Sequence, residues 1–178
     1  DNKQDKLIKK QIKKIDNIVE QMLFYARSDS VEKDYFVKKV LLEDVVHTAI
    51  MNYMDSLIQK KISLDVYNLE NYVYIDEKWI TFIICQVLQN SIKYLNKPEK
   101  IIKIHSENNK NNVVLVIEDN GEGILDHDLP RVFEYGFTGA DRQKQYSTGI
   151  GLYLCKKLCN KMNLDIKIES QYKKFTKV

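Results

Sequence analysis

Along residues 5–28 apolar side chains recur at helical spacing: Ile8, Ile15 and Met22 fall seven apart, with Ile12, Val19 and Ala26 beside them and Ile18 on the same flank. Lysines, Asp16 and Glu20 fill the remainder, so the segment is predicted to be an amphipathic helix with one core-facing stripe. A lone helix of this kind has nowhere to bury that stripe. It requires a partner helix, supplied by an upstream segment or by a second copy of the chain. Ser28-Asp29-Ser30 breaks the pattern as a short connector, separating residues 1–30 from a larger unit, residues 31–178.

In that larger unit the period alternates. Tyr35–Leu41 reads as a strand. Glu43–Lys60 reads as a helix with Val45, Val46, Ala49, Ile50, Tyr53, Met54, Leu57 and Ile58 on one face. Ile62–Tyr67 and Tyr72–Ile75 are predicted strands, and Glu77–Leu95 is a strongly apolar helix ending before Asn96-Lys97-Pro98. The strands Lys100–Ser106 and Asn112–Glu118 follow, joined by the turn-forming run Asn108–Asn111. Residues 120–148 have loop chemistry over a length that marks an active-site lid. Gly149–Met162 is a further helix and Asp165–Ser170 a strand. Helices and an extended sheet in this mixed order predict an α+β fold, a two-layer α/β sandwich preceded by one long helix.

Charge and cysteine content narrow the class only slightly. A net charge of +3 and a pI near 8.6 are too mild to argue for nucleic acid. The surplus gathers at Lys3, Lys6, Lys9, Lys10, Lys13 and Lys14, which on a helix is most simply a solvated face. The start of the chain is charged, and no apolar run reaches the ~20 residues that span a bilayer. Cys85, Cys155 and Cys159 are odd in number and lack metal-ligand spacing. They read as reduced thiols in a packed core, which fits the cytoplasm.

Four ordered motifs carry the chemistry. In Gln86–Tyr94, Gln86, Asn90 and Lys93 share one helical stripe beside the apolar face. Amide oxygens suit a Mg²⁺ ion that keeps most of its waters, and a lysine suits phosphate oxygens. Alone, the stripe reads more simply as an exposed polar face. In Glu118–Ile124, Asp119 stands directly after the apolar run Val113–Ile117, where such sheets place ligand groups. A carboxylate there needs donors, and an adenine amino group is one. Gly121 and Gly123 let the backbone approach a flat base, although Asp-Asn-Gly is also ordinary turn chemistry. In Thr148–Leu154, Thr148, Gly149, Ile150, Gly151 and Leu152 open a helix whose free N–H groups form an anion site. Between the glycine motifs, Phe133 and Phe137 anchor a polar loop, in which the cations Arg131, Arg142 and Lys144 could reach a γ-phosphate, although any single one reads more simply as a solvated charge. Together the set describes an ATP pocket.

With these residues in place, the chain resembles the catalytic ATP-binding domain of sensor histidine kinases, within the GHKL superfamily (the Bergerat fold) that includes gyrase. Gln86–Tyr94 resembles the N box, Glu118–Ile124 and Thr148–Leu154 the glycine boxes, and Phe133–Gly139 the F box. The helix ending at Met22–Arg27 resembles the second helix of a dimerisation hairpin. The wording YGFTG and STGIGLYLCKKLC is most similar to the intramembrane-sensing kinases that respond to bacitracin-like and lantibiotic peptides in Gram-positive bacteria. The resemblance implies ATP and Mg²⁺ as cofactors. Asn90 would hold the metal with Gln86 near it, Lys93 would contact phosphate, and Tyr94 would flank the nucleotide. Asp119 would bind the adenine amino group; Gly121, Gly123, Ile124, Gly149, Ile150, Gly151 and Leu152 would shape the pocket. It further implies transfer to a histidine and then to a response-regulator receiver domain, a homodimeric parent, and membrane attachment only through an upstream region.

Two features qualify the resemblance. The gyrase-like ATPases carry a glutamate at the position of Gln86, able to act as general base. A glutamine cannot, which favours phosphoryl transfer over hydrolysis. None of the three histidines fits a phosphoacceptor. His127-Asp128-Leu129-Pro130 mimics the acceptor motif with too short a spacing, His47 projects from the polar side of its helix, and His105 sits on a strand as a packing residue. The acceptor helix is therefore expected upstream of Asp1, and the chain ends at Thr176-Lys177-Val178, where the family's last strand is expected to begin. A nucleotide-gated interaction module without phosphotransfer and a gyrase-like ATPase are the competing readings.

Overall fold

The computed structural model describes residues 3–28, 35–109, 112–139 and 148–178. Asp29 and Ser30 of the expected connector, Lys110 and Asn111 of the expected turn, and the lid cations Arg142 and Lys144 lie outside them. The chain divides into two compact units, Asp1–Tyr35 and Phe36–Val178. The first is built on one helix, α1 (Lys3–Ser28). Its apolar stripe lies on the surface, with exposures between 43% at Ile18 and 59% at Ile15. No helix among the described residues is long and apolar enough to cross a membrane.

The second unit holds the remaining elements. β1 (Lys38–Leu41) leads into α2 (Leu42–Met51) and α3 (Met54–Lys60). β2 (Ser63–Tyr67), β3 (Tyr72–Ile75), α4 (Glu77–Tyr94), β4 (Ile101–Asn109) and β5 (Asn112–Asp119) follow. After the lid come α5 (Gly151–Lys161), β6 (Glu169–Gln171) and β7 (Phe175–Lys177). β1 and β3 pair antiparallel as a separate two-stranded sheet. The main sheet runs β2-β4-β5-β7-β6, with β2 and β4 parallel and the other pairs antiparallel.

One face of that sheet makes the core. Ile102, Ile104 and Ile117 project toward Val45, Val46, Ala49 and Ile50 of α2 and toward Ile84, Val87, Leu88 and Ile92 of α4. On the other face Lys103 and Glu118 approach to 3.9 Å, as period-two alternation demands of a sheet with one dry side. α5 packs against α4 and buries Leu154, Cys155, Leu158 and Cys159. Burial lifts both cysteine thiols above their ordinary range, Cys159 to about 11, so they pack as protonated, apolar groups.

α4 is capped where a carboxylate is needed. Asp76 accepts from Lys78 N at 3.0 Å and Trp79 N at 3.2 Å. Its second oxygen takes Phe36 N at 2.7 Å, tying the start of this unit to the helix. Asp76→Ala is expected to lower stability by about 2 kcal/mol, read as a lower urea midpoint, without changing nucleotide affinity of the folded protein.

Two expectations are corrected. Glu43–Lys60 is two helices: Tyr53 N donates to Ile50 O at 2.9 Å, a tight turn that ends α2. The turn redirects α3, so Leu57 is its buried residue while Ile58 is 68% exposed. The expected strands Tyr35–Leu41 and Asp165–Ser170 shrink to Lys38–Leu41 and Glu169–Gln171. The last strand, expected to begin at Thr176, is Phe175–Lys177, inserted between β5 and β6 with Thr176 opposite Asp119 and Lys177 opposite Glu118. The turn before it uses Lys173 at φ +62, a left-handed residue without the usual glycine signal.

Candidate nucleotide site

β5 delivers Asp119 to the end of the sheet, where the side chain is only 5% exposed. Both carboxylate oxygens are held: Ser91 Oγ donates to Oδ2 at 2.7 Å and Gly121 N donates to Oδ1 at 2.9 Å. Burial nevertheless dominates and raises its pKa above the ordinary 3.8, against the lowering effect of those two bonds. Glu118 raises it further and Lys97 opposes. A carboxylate kept at such a cost, with acceptor capacity left on each oxygen, is the signature of a ligand group.

The glycine turn after Asp119 hangs on the end of α4. Glu122 N donates to Tyr94 O at 3.1 Å, and a Cβ on Gly121 would stand 2.6 Å from Asp119 Oδ1 and 2.8 Å from Tyr94 O. Gly123, at φ +67, passes so close to Gln171 that a Cβ there would lie 2.8 Å from its carbonyl carbon. Ile124 N is fixed by Ser170 Oγ at 2.8 Å, so the β6–β7 hairpin forms one wall of this turn.

The second glycine motif is joined to the aromatic one. Gly136 N donates to Gly149 O at 3.1 Å, and a Cβ on Gly149 (φ +66) would meet Gly136 O and Phe137 N at 2.7 Å. Thr148 Oγ1 accepts from Ile150 N at 3.3 Å, Ile150 is buried, and Gly151 and Leu152 form the half-buried first turn of α5. Phe133 and Phe137 are half-buried, under Lys156 Nζ at 5.9 Å and the Arg131 guanidinium at 4.6 Å from the ring centres. Arg131 also pairs with Glu134 at 3.0 Å.

On α4, Gln86 is 7% exposed, while Asn90 and Lys93 are half-buried. Lys93 Nζ lies 3.1 Å from Tyr94 Oη and 4.7 Å above the Tyr94 ring. α4 packs on both β5 and α5, which brings the two glycine motifs alongside one helix. The three histidines stand outside these contacts. His47 is exposed, His127 pairs with Asp128 at 3.6 Å, and His105 stacks on Tyr67 with centroids 4.8 Å apart.

Comparison with known proteins decides the family: residues 75–178 match the model described as Histidine kinase-, DNA gyrase B-, and HSP90-like ATPase. The chain belongs to this family. The Sensor protein BceS of Halalkalibacterium halodurans is 36% identical over 175 residues, which cover 96% of this chain and 52% of that protein. The Sensor protein kinase GraS of Staphylococcus aureus is 35% identical over 167 residues, 93% of this chain and 48% of that one. The chain thus spans about half the length of the curated relatives it matches. Among solved structures, the Acinetobacter baumannii histidine kinase AdeS aligns with a TM-score of 0.75 at 22% identity, covering 99% of this chain and 83% of that one. Full-length ShkA in complex with AMPPNP aligns at 0.75 and 16% identity over 90% of this chain and 34% of its own. These two likenesses show that the fold is that of the histidine kinase-like ATPases.

The histidine kinase-like ATPase domain contains two supporting residues that the motif reading missed. Ser91 sits in the buried stripe of α4, three residues after Leu88 and four before Leu95, and its hydroxyl is spent on Asp119. The available signal was a lone hydroxyl at a core-facing helical position. Asn120 was also missed: its Oδ1 accepts from Ile101 N at 2.9 Å and its Nδ2 donates to Glu99 O at 3.1 Å, which fastens the glycine turn to the start of β4.

Proposed function

We propose that this chain is the cytoplasmic catalytic part of a two-component sensor kinase. It binds Mg²⁺-ATP and passes the γ-phosphoryl group to a histidine carried outside this chain, from which an aspartate on a response-regulator receiver domain accepts it. The observation that carries the reading is Asp119, a buried carboxylate at a strand end, held on both oxygens by Ser91 and Gly121. Its free acceptor capacity matches the exocyclic amino group of adenine, beside a glycine that lets a flat base come close.

The neighbouring residues fit the rest of the nucleotide. Asn90 directly precedes the anchored Ser91, and Gln86 lies one turn earlier on α4; these amides would hold the Mg²⁺ ion, which would supply positive charge to neutralise the phosphates. Lys93 offers a cation one turn later, and the entry to α5 at Gly149 and Gly151 offers backbone N–H groups to the phosphates. These groups act by position and charge: a bond forms between an imidazole nitrogen and the γ-phosphorus as the bridging bond to ADP breaks. Gln86 has no carboxylate with which to activate water, which supports transfer over hydrolysis. The exposed stripe of α1 fits the second helix of a dimerisation hairpin in a membrane-bound, homodimeric parent of the peptide-antibiotic-sensing type.

The test is to mix this chain with a separately supplied dimerisation hairpin and ATP labelled at the γ-phosphate. Label on the hairpin histidine is expected. Nucleotide binding without labelling points instead to an interaction module, and steady phosphate release that depends on Gln86 points to a gyrase-like ATPase. Asn90→Asp is expected to abolish Mg²⁺-ATP binding in calorimetry with an unchanged melting temperature, because it sets a new negative charge against the phosphates on a half-buried helix position.

A further inference from the structure

We infer that Ser91 is the positioning residue that gives this site its preference for adenine over guanine. The inference rests on the nucleotide reading of Asp119 above. Ser91 has one hydroxyl proton, and at 2.7 Å that proton is committed to Asp119 Oδ2. Gly121 N–H is committed to Oδ1 at 2.9 Å. With these two donors turned onto the carboxylate, Asp119 presents its remaining acceptor capacity to a base. Acceptors suit the amino group at C6 of adenine and repel the carbonyl oxygen that guanine carries there. A site built to receive one hydrogen-bonding pattern rejects the reverse pattern by leaving buried groups unpaired.

Ser91 also favours the ionised form of the carboxylate. Burial pushes Asp119 toward its neutral form, and a neutral carboxyl would present an O–H to the base and welcome the guanine carbonyl. The Ser91 bond is the first of the opposing influences, followed by the Gly121 bond. Glu118 on the same strand works with burial, and Lys97, just beyond α4, works against it. The residues opposite Asp119 on β4 and β7, Ile102 and Thr176, carry no charge. Ser91 is thus the largest of the influences that lower the Asp119 pKa and favour the ionised acceptor.

Calorimetry with Mg²⁺ and the unreactive analogues AMPPNP and GMPPNP across pH tests this on the parent chain, Ser91→Ala, Ser91→Thr and Asp119→Asn. For Ser91→Ala the expected result is about a tenfold weaker grip on AMPPNP at neutral pH, a smaller AMPPNP-to-GMPPNP ratio, and a pH midpoint for AMPPNP binding shifted upward. Ser91→Thr, which restores the hydroxyl, should recover the ratio and the midpoint. A Ser91→Ala protein with the parent's ratio and midpoint overturns the inference while Asp119→Asn still loses AMPPNP. An Asp119→Asn protein that binds AMPPNP like the parent overturns the nucleotide reading itself, and this inference with it.

Discussion

Asp119→Asn is expected to lose Mg²⁺-ATP affinity by about 100-fold or more while the empty protein melts at a higher temperature than the parent. The loss follows from replacing an acceptor by an amide whose N–H₂ group, if turned outward, meets the adenine amino group donor to donor. A broken hydrogen bond to a charged group costs about 1.5–3 kcal/mol, and the unpaired base adds to that. The gain in stability follows from linkage. Burial raises the folded pKa of Asp119 above its ordinary 3.8, so the folded chain holds that proton more tightly than the unfolded chain does. Above the folded pKa the ionised carboxylate therefore costs stability. As pH falls through that pKa toward 3.8 the cost is relieved. An amide carries no such cost. Thermal melts of the empty proteins should show Asp119→Asn ahead at neutral pH and the gap closing in acid. A variant that melts below the parent at pH 7, or binds ATP as the parent does, would sink the assignment of a carboxylate kept for a ligand at the expense of the fold.

The same tension explains what was legible in the sequence. α4, β4 and β5 were readable because each is long, strongly apolar on one side and bounded by Asn, Pro or Gly. The break between α2 and α3 was not. The apolar period continues straight through Tyr53 and Met54, both packed on the core, while the backbone turns at Asn52. β7 was expected only from the family resemblance, for a different reason. Three residues set no period, and the strand exists because β5 and β6 both lend it their edges. At the site, Asp119 and the glycines were legible as local chemistry, since a carboxylate at a strand end or a Gly-x-Gly at a helix entry needs no distant partner to be noticed. Their partners are long-range. Ser91 is 28 residues from Asp119, and nothing local says that its hydroxyl faces a carboxylate. The same holds for Gly123 against Gln171 and for Gly136 against Gly149. In those pairs the glycine is required by what lies opposite it.

That requirement makes Gly149→Ala the second large effect. Gly149 stands at φ +66, where an alanine is strained by about 1 kcal/mol, and the added methyl would meet Gly136 O and Phe137 N at 2.7 Å. Both neighbours are backbone, so no side chain can swing aside. The contact must open, and with it the bond from Gly136 N to Gly149 O. Opening separates the aromatic segment from the entry to α5, the two parts that would close over the phosphates. The core of the unit is untouched: Ile84, Leu88, Ile102, Ile104 and Ile117 lie in the cluster between the sheet, α2 and α4. Gly149→Ala should therefore lose Mg²⁺-ATP affinity by at least about tenfold, with a melting-temperature drop of only a few degrees. Calorimetry with ATP and with adenosine separates the causes. On the proposed reading adenosine would depend on Asp119 and the first glycine turn, so its weak binding should survive the substitution while the triphosphate's advantage over it disappears. Equal losses for both ligands would mean that Gly149 supports the whole pocket, and would remove its role as the link between the aromatic segment and the entry to α5.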